Sequence, residues 1–127
     1  METTLGRAVI LVTDYDAAFA FYEKNFFCHK LFESTTPEGK RFLHVGFSED
    51  DAVGIWFMEA STEEQQASVG KQTAGQPTLV IYTDDAAGMY AHVKANDVQL
   101  IGNLAGRETP FFHCLDLYGN RLVVVQF

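Results

Sequence analysis

Histidine is the residue type in this chain best suited to chemistry near neutral pH, because imidazole alone titrates there without help. Of the four histidines, two occupy matching places. Arg41-Phe42-Leu43-His44 is echoed by Pro110-Phe111-Phe112-His113. Three uses are open to such a pair. Each imidazole can be a strand residue hydrogen-bonded to a neighbour, a ligand contact or acid–base group, or half of a two-histidine metal site. For the last use, Glu59 is the nearest candidate carboxylate. His29 sits beside a helix end and His92 on a helix, and both read as surface residues. Cys28 and Cys114 lie far apart with no CxxC spacing, so they read as two reduced, buried thiols of a cytoplasmic protein. Neither a P-loop, a GxGxxG dinucleotide motif nor a GxSxG elbow occurs.

The 127 residues suit one domain, and 47% of them are hydrophobic, with eleven Phe, five Tyr and one Trp to fill a core. Disorder is excluded, and no apolar stretch is long enough for a membrane span. A formal charge of −8 repels a phosphate backbone and disfavours nucleic acid and anionic membrane surfaces as partners. Met1-Glu2-Thr3-Thr4 begins no secretory signal.

The elements that position the histidines follow from hydropathy. Ala8 to Thr13 is a continuous apolar run and reads as a strand covered on both faces. Asp14 then caps a helix over roughly 15–26, with Ala18, Phe19, Tyr22 and Phe26 at helical spacing. Strands follow near 29–34 and 41–47 around the turn at Gly39, then a polar turn at Ser48-Glu49-Asp50-Asp51, then a covered strand at 54–58. Residues 60–76 are polar, with two glycines, and read as a loop or linker. The order then restarts: a strand at 78–83, Asp84-Asp85 as a cap, a helix ending at Asn96-Asp97, and strands near 98–101, 110–116 and 121–126. This is an internal repeat of a strand–helix–three-strand unit, too small to bury its own sheet, so the two units must associate. Module 1 is expected at about 5–60 and module 2 at about 77–127, within a single domain.

Three segments in order resemble the vicinal oxygen chelate superfamily, which includes glyoxalase I, bleomycin-resistance proteins and extradiol dioxygenases. They are Val12-Thr13-Asp14 through Phe21-Tyr22, Tyr90-Ala91-His92 through Val98, and Asp116-Leu117-Tyr118-Gly119-Asn120-Arg121-Leu122. The resemblance implies an α+β fold: two βαβββ modules curled into a half-barrel sheet, with helices on the outer face and the site on the concave face. It also implies pairing into a homodimer. Enzymes of this family hold a divalent metal through His and Glu. The corresponding positions here fall on Arg7, on Thr78 (or Gln76 with a different gap), on Trp56 or Phe57, and on Val123. A guanidinium cannot ligate a cation and Val has no donor atom, so the familiar metal site is expected to be absent. No cofactor is expected.

Strand alternation from those positions places Arg7, Val9 and Leu11 on the concave face. It places Thr78, Val80 and Tyr82 there too, with Arg121, Val123 and Val125, and the family resemblance implies Phe111, His113 and Leu115 on that face as well. The repeat puts His44 opposite His113 and makes Trp56 the counterpart of Val123. The expected ligand contacts are Arg7, Trp56, Thr78, Tyr82, His113 and Val123. Arg7 reads equally as a rim residue, Trp56 as core, and Tyr82 as a buried hydroxyl with a partner. Asp116 and Gly119 read as turn residues. The leading expectation is a metal-independent protein that binds a small aromatic or anionic molecule. The alternative is a lyase, isomerase or dioxygenase-like enzyme with His44 or His113 as base, or with a non-standard metal site.

Overall fold

The computed structural model describes residues 1–48, 50 and 53–127. The chain divides into two compact units, Met1–Gln66 and Ala67–Phe127. The first contains β1 (Arg7–Val12), α1 (Tyr15–Phe26), β2 (His29–Thr35), β3 (Arg41–Gly46) and β4 (Gly54–Glu59), followed by α2 (Glu63–Ser68), which begins there. The second contains β5 (Pro77–Thr83), α3 (Ala86–Ala95), β6 (Leu100–Ala105), β7 (Phe111–Leu115) and β8 (Arg121–Gln126). Each is a βαβββ module, and the fold is α+β. The sheet orders are β1-β4-β3-β2 and β5-β8-β7-β6. In each sheet the first strand pairs parallel with the last, and the remaining pairs are antiparallel.

The helix starts are set by side-chain oxygens. Asp14 accepts from the Ala17 N–H at 3.0 Å, and Asp85 from the Gly88 N–H at 2.9 Å. Each bond satisfies an amide that the helix leaves orphaned. The first helix then lays Ala18, Tyr22 and Phe26 on the sheet, where they meet a face built from Ile10, Val12, Leu43, Val45, Ile55 and Phe57, all buried. Tyr22 and Phe57 anchor that contact, with ring centroids 5.7 Å apart. In the second module, Ala86 and Val93 of α3 are buried, as are Ile81, Phe112, Leu122 and Val124 of the sheet. There Tyr90 stands edge-on to Phe112 at 5.4 Å.

Two expectations need correction. The runs at 8–13 and 54–58 are not covered on both faces: burial alternates, and Val9 is 39% exposed while Trp56 and Met58 are half-buried. Strand geometry sends neighbouring side chains to opposite faces, and a helix covers one of them. The segment 60–76 is not all loop, because it contains α2. Thr62 and Gln65 form a reciprocal cap: the Thr62 Oγ1 accepts from the Gln65 N–H at 3.1 Å, and the Gln65 Oε1 accepts from the Thr62 N–H at 3.3 Å. Of the polar turn expected at Ser48–Asp51, Glu49 and Asp51 lie outside the described residues.

The turn before β8 is held by one carboxylate. Asp116 Oδ1 accepts from the Tyr118 and Asn120 amides at 2.9 and 3.0 Å, and Oδ2 accepts from Asn120 Nδ2 at 2.9 Å. Gly119 supplies the left-handed backbone at φ 96°. Gly70 packs against this turn, and a Cβ there would lie 1.9 Å from the Tyr118 carbonyl oxygen. Asp116→Ala is expected to lower unfolding free energy by about 2–4 kcal/mol, since it strands buried donors. Asp116→Asn, which keeps an acceptor, should cost less. Urea denaturation of the two variants checks this.

Candidate functional site

The face of each sheet opposite its helix carries the residues of interest. In the first module the register places Val9 beside Trp56, Trp56 beside His44, and His44 beside Phe32. In the second, Val80 lies beside Val123, Val123 beside His113, and His113 beside Ile101. The two rows match, with His44 equivalent to His113 and Trp56 to Val123, as the repeat implies.

Each histidine accepts a hydrogen bond from an arginine. Arg7 Nε donates to His44 Nδ1 at 3.1 Å, and Arg121 Nε donates to His113 Nδ1 at 3.1 Å. The arginines arrive by different routes. Arg121 reaches diagonally from the adjacent β8, near the Leu115 end of the ladder. Arg7 lies on β1, and β4 stands between it and the β3 histidine. Its neighbour on β4 is Gly54, where a Cβ would lie only 2.7 Å from both Leu31 Cδ1 and the Val45 carbonyl oxygen but at an ordinary contact distance of 3.5 Å from Arg7 Cδ. Arg7 Nη1 also donates to the Gly6 carbonyl at 2.7 Å.

A guanidinium keeps its protons, so each Nδ1 must offer its lone pair and each neutral ring must carry its proton on Nε2. Burial, and then the adjacent Arg7 charge, lower the His44 pKa from its ordinary value. Burial and then Arg121 do the same for His113. His44 packs in an aromatic cluster, with its ring centroid 4.6 Å from Trp56 and 5.4 Å from Phe32, and its Nε2 is buried without a hydrogen-bond partner. His113 stands edge-on to Phe111 at 5.9 Å.

The remaining expected contacts fall on the same faces. Trp56 is half-buried, and its ring lies 5.9 Å from Phe42. The Thr73 hydroxyl donates to the Gln76 carbonyl at 2.6 Å, so the 3.1 Å bond between the Thr73 and Thr78 hydroxyls must take its proton from Thr78. Tyr82 is not buried; it stands edge-on to Phe127 at 6.4 Å. Val123, only 9% exposed, lies between Val80 and His113. Cys28 and Cys114 are buried, and burial followed by the Asp116 charge pushes the Cys114 thiol up to about 12.

A metal does not fit these positions. Arg7 and Trp56 bring only donors, Val123 brings no polar atom, and Thr78 brings a single neutral hydroxyl, so the four positions offer no ligand set for an ion. Among the described residues, no three His, Cys, Asp or Glu side chains converge in a way that could hold an ion.

Sequence reasoning missed a cavity of about 590 Å³ in the first module. It lies where the ends of β1 and β4 meet the start of α1, the β2–β3 turn and the segment into α2, and Trp56 is the one expected contact that lines it. The capping pattern at Thr62–Gln65 was the available signal that this segment is structured, since Gln65 is also in the wall. The Arg–His pairs had no local signal, because their partners are 37 and 8 residues apart.

Comparison with known proteins agrees with this fold. The family model described as Glyoxalase/Bleomycin resistance protein/Dioxygenase superfamily matches residues 4–124. An uncharacterized protein of Shewanella frigidimarina (strain NCIMB 400) is 28% identical, over 99% of this chain and 95% of its own length. A superfamily member from Sphaerobacter thermophilus DSM 20745 superposes with a TM-score of 0.80 at 18% identity, covering 99% of this chain and 98% of the other. TnmS3, an antibiotic binding protein from Streptomyces sp. CB03234, superposes with a TM-score of 0.77 at 18% identity, covering 98% and 96%. The βαβββ repeat and the family match over nearly the whole length place the chain in the glyoxalase/bleomycin resistance protein/dioxygenase superfamily.

Proposed function

We propose that this protein is a metal-independent small-molecule-binding member of its superfamily, taking an aromatic or anionic ligand against the open sheet faces. The observation that carries the reading is the Arg7–His44 hydrogen bond on the open face of the first module. It puts a cation and an imidazole with an occupied lone pair where the family resemblance puts a metal ligand. The same geometry counts against either histidine as a general base: a base needs a free lone pair, and the Nδ1 pairs of His44 and His113 are both engaged by guanidinium protons. The antibiotic-binding TnmS3, similar in fold, supports a binder. Arg7 and Trp56 on the first module are the proposed contacts there, and Thr78, Tyr82, His113 and Val123 on the second.

The proposal extends to setting and assembly. The two buried cysteines favour a reducing, cytoplasmic location, and among the described residues no helix is long and apolar enough to cross a membrane. A homodimer is proposed from the family resemblance, and light scattering of the purified chain reads it directly.

Thermal shift against a panel of planar aromatic compounds tests the binding reading. A ligand present at about a hundred times its Kd adds about 2.7 kcal/mol, a rise in Tm on the order of 5 °C for a chain of this size. That rise should shrink in Trp56→Ala, Arg7→Ala or His113→Ala. A hit whose stabilisation survives all three replacements contradicts the contact assignment. Stoichiometric Zn, Ni, Mn or Fe retained after dialysis contradicts the metal-independent reading and favours the enzyme.

Folding stability should also respond to pH through the two histidines. Both have folded-state pKa values below the unfolded one, so the unfolded chain binds more protons around pH 6. Their contribution is complete above the unfolded pKa of about 6.5 and declines as pH falls below it. Denaturant midpoints should therefore fall between pH 7.5 and 5.5. The double variant His44→Gln/His113→Gln should show a flatter profile.

A further inference from the structure

We infer that the cavity at the end of the first module's sheet is a ligand seat reached through Trp56, and that its occupant is a planar aryl compound carrying oxygen acceptors, such as an aryl carboxylate. This rests on the binding reading above and adds a location and a chemistry. The cavity's volume of about 590 Å³ lies within the usual range for small-molecule sites, roughly 300–1,000 Å³. Leu11, Trp56 and Met58 give it an apolar wall, and these residues stand side by side on β1 and β4.

The polar lining is unbalanced in a way that selects a ligand. Tyr15 uses its hydroxyl oxygen to accept from the Glu59 amide at 3.1 Å, so its proton remains to be donated. Gln65 spends its Oε1 accepting from Ser61 and Thr62, so its Nε2 protons remain. The Trp56 indole N–H makes no hydrogen bond among the described residues. Lys40 makes no ion pair there; its ammonium lies 5.0 Å from the Phe42 ring centroid. These four donors face one uncommitted carboxylate, that of Glu59. The other wall cation, Arg41, is already matched by Asp16 and Glu33. Flat apolar surface beside several donors suits an aromatic ring bearing oxygens, whose lone pairs would satisfy them.

The chain has a single Trp, so one indole N–H signal in a ¹H–¹⁵N spectrum reports this cavity alone. The probe is 2-naphthoate, compared with 2-naphthylmethylammonium, which has the ring without the acceptors, and cyclohexanecarboxylate, which has the anion without the ring. The expected result is a saturable shift of the Trp56 indole signal by 2-naphthoate, at least tenfold weaker with either control. Lys40→Gln lies on an exposed turn and leaves the core untouched; it should weaken 2-naphthoate binding by about tenfold, the loss of one charge-assisted hydrogen bond. If 2-naphthoate saturates other amide signals and leaves the indole unmoved, the location is wrong while the binding reading stands. If the ammonium probe binds as well as the carboxylate, the acceptor chemistry is wrong. If no aryl probe moves any signal, the inference and the binding reading both fail.

Discussion

A guanidinium that cannot release its proton, set against an imidazole lone pair, governs the open face of both modules. Arg7 fixes His44 and Arg121 fixes His113 with the same atoms at the same 3.1 Å separation. That single contact decides the tautomer, keeps a cation on the face, and removes the lone pair that a metal or a reacting proton would need. The rest of each sheet serves it. Helix-facing residues are buried to hold the strands in register, and the register sets each histidine beside Trp56 or Val123.

The two modules reach this arrangement from different sequence positions, which tells how the repeat has diverged. Arg7 and Pro77 occupy equivalent sites on β1 and β5, and Gly54 and Arg121 on β4 and β8. The arginine has in effect moved one strand over between the modules. Their other difference is Trp56 against Val123. The larger ring packs with His44 and Phe42 and forms part of a cavity wall in the first module.

What could be read from the sequence was whatever depends on near neighbours. Asp14 and Asp85 cap helices through amides three residues on, a distance the chain itself defines. Period-two alternation put Arg7 and Val123, the repeat put His44 and Trp56, and the family resemblance put His113, on the open faces. The α2 helix was hidden by polar composition, although Thr62 and Gln65 carry its cap. Val80 and Tyr82 were expected on the open face, and they are exposed there because the helix covers the other side. The Arg–His pairs and the cavity depend on strand order and on contacts between distant residues. Neither has a local signature.

Long-range ¹H–¹⁵N correlation spectra of the histidine rings test the central claim most directly, because they show which nitrogen carries the proton. The account predicts that His44 and His113 are neutral at pH 7, protonated on Nε2 and bare on Nδ1, and unmoved by added zinc or nickel. A proton on Nδ1 in either ring, or a metal-induced shift of that nitrogen, would contradict it.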